Sequence, residues 1–294
     1  VRRIRTQANK ADVSVLHPAS QRPLVTIDTG NKQQRHDPRV RIDHPVVPSA
    51  ADDGVERPSL WPVRTEVFFD WVFVNLDGSA QPLADQLKPL IDRLVGYAFE
   101  QCVFGGELTF DVATNWKLAH ENFFDILHKI GIHPELQMSS PIQTNVRWQW
   151  LSEELAITQH TVEEPFDGRG EGLPGLPGFP GSMRHLGLSA HLYPNANVQI
   201  WDGQVTLFTC TPIGADRTVE TFSVYFADEG MGEQHKAHRE AVFETWRHLN
   251  GQDIEPLVWM QEARHVPVFT GGSFSPYWDK VIAEYVEKLK ADTH

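Results

Sequence analysis

The stretch Asn115 to Gln137, NWKLAHENFFDILHKIGIHPELQ, brings Asn122, Asp125, His128 and His133 close together in sequence. Read as a helix, Asn122, Asp125 and His128 stand three apart and share one face. The side chains between them, Phe123, Phe124, Ile126 and Leu127, are apolar, so such a helix is largely buried and its polar groups need partners. His133 comes five residues after His128, off that face, but Gly131 can end the helix and turn the chain back so that both imidazoles meet. Two convergent histidines with an acid nearby form a metal-ligating set. Nitrogen and oxygen donors without thiolate suit iron, zinc or manganese rather than an iron–sulfur cluster. The opposing reading is that a chain with 14 histidines holds such a pair without any metal.

The elements around this stretch read as α+β. Residues 67–76 carry the β-branched and aromatic residues of a strand. Gln81 to Tyr97 places Leu83, Leu87, Leu90, Ile91, Leu94 and Val95 on a helical stripe with charge opposite. Glu107 to Val112 reads as a strand leading into the histidine segment. Val146 to Thr158, Val198 to Thr211 and Thr218 to Ala227 read as further strands of an antiparallel sheet. His235 to Leu249 and Asp253 to Ala263 read as two helices parted at Asn250-Gly251. A last helix opens on Ser275 as cap with Pro276 in its first turn and runs through Ile282, Tyr285, Val286 and Leu289.

Residues 1–60 are the least regular: a basic start at Arg2, Arg3 and Arg5, a polar run from Asn31 to Arg41, an extended connector from Pro45 to Pro58, and one strand-like run, Leu24 to Ile27. Gly172, Gly175, Gly178 and Gly181 recur every third residue with Pro174, Pro177 and Pro180 among them. So few triplets cannot sustain a triple helix, and a stiff polyproline-like loop is expected. Flanked by Phe166 and His185, it is a candidate lid over a cavity mouth.

Composition narrows the classes. At 294 residues the chain has room for one large domain or two small ones, and 40% hydrophobic residues with 9 Trp and 16 Phe describe a globular protein. No apolar run approaches the length of a membrane span, and the start VRRIRTQANK lacks the core of a secretory signal. A net charge of −13 argues against a general nucleic-acid surface and fits a basic partner. Cys102 and Cys210 are too few for a disulfide framework and read as small buried residues, so a cytoplasmic location is expected.

Asn115-Trp116-Lys117-Leu118, Glu121-Asn122-Phe123 and Asp125-x-x-His128-x-x-x-x-His133-Pro134 together resemble the catalytic domain of Rieske-type non-haem iron oxygenases, the ring-hydroxylating and N- or O-demethylating family. Val63-Arg64-Thr65-Glu66 followed by Trp71 to Asp77 is similar to the entry into that domain. Tyr193-Pro194-Asn195 is similar to the middle of its sheet, and Gly251-Gln252-Asp253-Ile254-Glu255 with Gln261 to its C-terminal ligand region. The resemblance implies a helix-grip fold, a curved antiparallel sheet closing on a long C-terminal helix with a ligand cavity between them.

It also implies that His128, His133 and Asp253 hold Fe(II), a face that leaves open positions for dioxygen. Read from its surroundings alone, Asp253 is a favourable charge at a helix start. The resemblance gives Asp125 the task of bridging from an iron-binding histidine to a cluster ligand in a neighbouring subunit, and Asn122 an orienting place near the iron. His120 and His160 read as structural or surface residues, and Trp148, Trp150, Phe222 and Tyr225 as candidate cavity walls.

A Rieske centre needs two cysteines and two histidines. No cysteine precedes Cys102, so residues 1–60 are expected to be a segment without Rieske ligands and 61–294 the catalytic domain. Because the chain begins at Val1, upstream sequence is expected to be missing or the cluster to sit on another polypeptide. No G-x-G-x-x-G fingerprint follows a strand. Electrons are therefore expected from a reductase through a Rieske [2Fe–2S] or ferredoxin-type partner, in a homotrimer or hetero-oligomer. The implied reaction is hydroxylation or demethylation of a small aromatic or N/O-methylated substrate. Two rivals stand beside it: a metal-free helix-grip module that binds a small molecule, and a zinc hydrolase in which the same donors activate water.

Overall fold

The computed structural model describes residues 64–75 and 79–293 apart from 143–145, 163–167, 180 and 182–184, together with three short strands nearer the N terminus. The sequence readings on 31–58 and on Phe166 lie outside the described residues. The chain divides into two units, Val1–Asp85 and Gln86–His294.

In the first unit β1 (Arg3–Arg5) pairs with β2 (Asp12–Ser14). β3 (Leu24–Ile27), β4 (Arg64–Phe68) and β5 (Trp71–Asn75) form an antiparallel sheet in the order β3-β5-β4. The single strand expected over 67–76 is thus a hairpin. Its turn holds Phe69 at a φ of 57°, a conformation that a bulky side chain rarely takes, so no glycine marked it. The Glu66 carboxylate accepts from the backbone N–H of Leu83 at 3.0 Å, at the start of α1 (Leu83–Arg93). That helix ends before the predicted Tyr97: Gly96 turns the chain at a φ of 97°, and Val95 is exposed instead of joining the buried stripe of Leu83, Leu87, Leu90 and Leu94.

The second unit is built on seven antiparallel strands in the order β6-β12-β11-β10-β9-β8-β7. These are β6 (Cys102–Val112), β7 (Val146–Trp150), β8 (Leu155–Thr161), β9 (Leu186–Leu192), β10 (Ala196–Trp201), β11 (Gln204–Gly214) and β12 (Arg217–Ala227). The expected strands over 146–158 and 198–211 are each two strands joined by a turn, and β9 was not anticipated. Tyr193-Pro194-Asn195 forms the turn between β9 and β10. A Cβ at Gly105, beside the register shift between β6 and β12, would collide with the Phe226 ring, so that position admits no side chain.

Two clusters pack the helices onto this sheet. One joins Phe208, Phe222, Val224 and Phe226 to Val242, Trp246 and Leu257 of α4 (Lys236–Ala263) and to Leu118 and Ala119 of α2 (Trp116–Phe124). The other joins Ala156, Tyr193 and Phe124 to Val281, Ile282, Tyr285 and Leu289 of α5 (Lys280–Thr293). Each large side chain fully buried in this way contributes roughly 1.5–3 kcal/mol. Ser275 accepts from the N–H groups of Tyr277 and Trp278 at 3.4 and 3.2 Å, but it closes a separate turn and not the helix expected there: its own N–H donates to Oδ2 of Asp279 at 2.7 Å, and α5 begins only at Lys280.

The two helices read at 235–249 and 253–263 are one helix of 28 residues. Its buried stripe runs Val242, Trp246, Leu249, Asn250, Asp253, Leu257 and Gln261, a spacing that keeps one face on the sheet across the Asn250-Gly251 pair. Asp253 therefore lies mid-helix on the inward face and caps nothing. Among the described residues no helix is long and apolar enough to cross a membrane.

Candidate metal centre

The segment before the histidines is not one helix. Asn115 caps α2, its Oδ1 accepting from Lys117 N at 3.0 Å, while its own N–H donates to Oε1 of Gln261 at 2.9 Å and ties α2 to α4. α2 stops at Phe124, and Asp125 follows with extended backbone, its Oδ1 accepting from Leu127 N at 2.7 Å. His128 then sits on a short 3-10 turn, Leu127–Ile130, which ends at Gly131, and His133 immediately precedes α3 (Pro134–Ser139). The single helical face proposed for Asn122, Asp125 and His128 is therefore wrong, because the aspartate terminates the helix by bonding to its own downstream backbone. The turn still returns the chain, so the imidazoles converge with ring centroids 5.0 Å apart.

Asp253 reaches the same point from α4. Its Oδ1 lies 3.1 Å from Nε2 of His133 and 3.8 Å from Nε2 of His128. Donor atoms of the three residues all fall within 4.8 Å of one another, the one such group found among the described residues. That Oδ1 is buried and has no hydrogen-bond partner, so the 3.1 Å approach is a close polar contact without hydrogen-bond geometry. A buried carboxylate oxygen facing two imidazole nitrogens is a donor set suited to a cation.

The outer nitrogens are also arranged. Nδ1 of His133 lies 2.7 Å from Oε1 of Gln252, which can only accept there, so Nδ1 carries the proton and Nε2 is free to donate a lone pair. Nδ1 of His128 lies 3.6 Å from Oδ2 of Asp125. Burial raises the Asp125 carboxyl, but hydrogen bonding and the charge of His128 hold it below the usual carboxylate range. Burial lowers His133 while Asp253 and Gln252 raise it further, for a net upward shift. Glu220, behind Asp253, is driven by burial up to about 7, against a hydrogen bond from Asn250 at 2.8 Å.

A cavity opens beside this group, lined by Asn122, Phe123, Asp125, His128, His133 and Asp253, and further by Ile126, Trp148, Val162, Trp201, Trp246 and Leu249. Of the aromatic walls predicted, Trp148 faces it. Trp150 instead packs on the Phe124 cluster, and Phe222 and Tyr225 lie in the core. His120 is structural as predicted: fully buried, it contacts Nδ1 of His191 through Nε2 at 2.6 Å, and burial lowers it to about 3. His160 is neither surface nor plain structure, since it lines the cavity with Nε2 3.0 Å from Oγ of Ser189.

The sequence reading missed Lys129 and Arg169, two buried cations of the cavity wall. Burial lowers Lys129 to about 8, with Arg169 adding to the shift. None of the described residues within 172–181 lines this cavity. Leu176 N bonds to Asp202 O at 2.5 Å, Pro177 O accepts from Ala98 N at 2.9 Å, and Phe179 packs edge-on to Tyr97.

An antiparallel sheet carrying a long helix, with two histidines and one carboxylate converging at a lined cavity, defines a candidate single-metal enzyme domain. Residues 99–291 match the family described as the ring hydroxylating alpha subunit catalytic domain, and the chain belongs to that family. It is 22% identical over 208 residues to the carnitine monooxygenase oxygenase subunit of Escherichia coli (strain K12), covering 68% of this chain and 52% of that one. It is 23% identical over 279 residues to the glycine betaine monooxygenase oxygenase subunit of Pseudomonas aeruginosa (strain UCBPP-PA14), covering 81% and 62%. A solved quaternary ammonium Rieske monooxygenase, described for carnitine oxidation and inter-subunit electron transfer, superposes with a TM-score of 0.58 at 16% identity, over 76% of this chain and 62% of that one. This likeness bears out the α+β expectation of a large antiparallel sheet with a long helix toward the C terminus. The chain thus spans about half to three-fifths of the length of these relatives.

Proposed function

We propose that this chain is the catalytic part of a multicomponent non-haem iron oxygenase that uses O2 and externally supplied electrons to hydroxylate or demethylate a small organic substrate. In this reading residues 61–294 are the catalytic domain, residues 1–60 contribute no Rieske ligands, and His128, His133 and Asp253 hold Fe(II). The observation that carries it is the buried Oδ1 of Asp253, without a hydrogen-bond partner and directed at two imidazole nitrogens. A metal-free binding module has no use for such an atom.

When bound, Fe(II) on a two-histidine, one-carboxylate face supplies open positions at which dioxygen is activated beside the substrate. The protein's own groups do the rest. Gln252 fixes the tautomer and rotation of His133, while Asp125 places its carboxylate 3.6 Å from Nδ1 of His128, near enough to act on that ring by its charge. Phe123, Trp148 and Leu249 give the cavity an apolar wall that excludes water. Asn122, on the same wall, orients what enters.

The electrons come from a reductase through a Rieske [2Fe–2S] or ferredoxin-type donor, with Asp125 as the bridge from His128 toward the donor across a subunit boundary, in a trimer or hetero-oligomer. The use of only two cysteines fits the cytoplasm. The relatives named for carnitine and glycine betaine make N-methylated compounds the first to test, with aromatic compounds alongside.

Substrate-dependent O2 uptake by the Fe(II)-loaded chain, supplied with a Rieske-type donor and reductase, tests this. Product is expected to appear in step with O2 consumed. Turnover that proceeds equally well under argon would contradict the proposal and favour the zinc hydrolase.

A further inference from the structure

Among the described residues Arg169 is a buried cation with no ion-pair partner. It is 6% exposed, and its guanidinium lies between the rings of Trp201 and Trp246, 5.0 and 4.7 Å from their centroids. Nε and Nη1 are buried with no hydrogen-bond partner. Lys129, 7% exposed, donates from Nζ to the backbone oxygen of Ser140 at 2.6 Å and keeps two further donors. Both side chains line the cavity that holds His128, His133 and Asp253.

Among the described residues neither cation forms an ion pair. The cavity's own acids face other groups: Asp125 accepts from Leu127 N, and Oδ1 of Asp253 lies against the histidines, 3.1 Å from Nε2 of His133. Burial lowers Arg169 only to about 10, so it stays charged at neutral pH.

Two buried positive charges on one wall are unfavourable unless a negative charge joins them. The guanidinium carbon sits over both indole rings, and the unpartnered N–H groups in the guanidinium plane remain to be satisfied by a ligand. Those groups match a carboxylate, which can accept two parallel hydrogen bonds. Elsewhere the wall is apolar, with Phe123, Trp148 and Leu249.

We infer that Arg169 and Lys129 form a carboxylate subsite, so that the cavity takes an organic acid whose apolar body lies along the aromatic wall toward the histidines. The inference deepens the oxygenase reading by naming its substrate class, and rests on that reading for the word substrate.

Tryptophan fluorescence of the full chain, loaded anaerobically with Fe(II), reads the subsite directly because two indoles flank the guanidinium. The probes are isosteric pairs, benzoate against benzamide and hexanoate against hexanamide. For at least one pair the acid is expected to bind about tenfold or more tightly than the amide, the effect of one charge-assisted hydrogen bond. Arg169→Gln should abolish that preference and Arg169→Lys restore part of it, with circular dichroism confirming the fold.

Equal affinities within both pairs in the wild type would overturn the subsite, however the variants behave. Iron content of the same samples separates the two readings. Iron held without a preference for acids removes the subsite and leaves the oxygenase. A preference for acids in a wild type that holds no iron removes the oxygenase and leaves an organic-acid binding site.

Discussion

Gln252 settles which nitrogen of His133 faces Asp253. By accepting at Nδ1 from 2.7 Å it leaves Nε2 as the lone-pair nitrogen, 3.1 Å from the carboxylate. Such partners of a ligating imidazole typically change metal affinity by about 10–100-fold. Gln252→Ala is therefore expected to weaken binding of Co(II), a redox-stable probe, by about that factor, and Gln252→Glu, which keeps the acceptor, to preserve it. Competition titration against a chromophoric chelator measures both, and unchanged affinity in Gln252→Ala would count against the assigned tautomer. The donor set was legible because His128 and His133 lie close in sequence and the flanking motifs resemble a known family. Lys129 and Arg169 were not. Their surroundings come from Ser140, Trp201 and Trp246, side chains that only the tertiary fold brings near, and neither residue stands in a local pattern.

At α4, packing outweighed a local signal. Asn250-Gly251 reads as a break, yet the buried stripe on either side continues in phase, and Asn250 is anchored to Glu220 inside the sheet. Gly251 is exposed, and a Cβ there meets nothing within 4 Å. Gly251→Ala is therefore expected to stabilise the protein by about 0.8–1.0 kcal/mol, the helix-interior difference between the two residues. Thermal melting should show a rise of about 2–4 °C, whereas a fall would mean that the chain turns at this point as the dipeptide suggested. Between β10 and β11 the error ran the other way. Asp202-Gly203 is a strong two-residue hairpin signal, passed over because apolar residues continue on both sides. The start of β12 was read closely, since it depends on a signal within a few residues, whereas Ser275 caps only a turn and α5 begins at Lys280.

The whole chain is acidic, at −13, yet it buries two cations in the wall of the cavity beside the metal donors. That contrast places two positive charges inside the cavity of a chain whose net charge is negative. The sheet supplies the apolar floor, α4 brings Asp253 across on its inward face, and the broken segment after α2 presents the histidines. Family membership and the antiparallel architecture follow from the matched residues 99–291 and the superposition; the metal chemistry rests on three side chains. The decisive measurement is iron content after anaerobic Fe(II) loading and desalting, in the wild type, Asp253→Ala and His133→Ala. About one iron per chain in the wild type, lost in both variants while the fold is retained, is the result expected of a single site built on these donors. No retained iron in the folded wild type, or iron held equally by all three proteins, would contradict it.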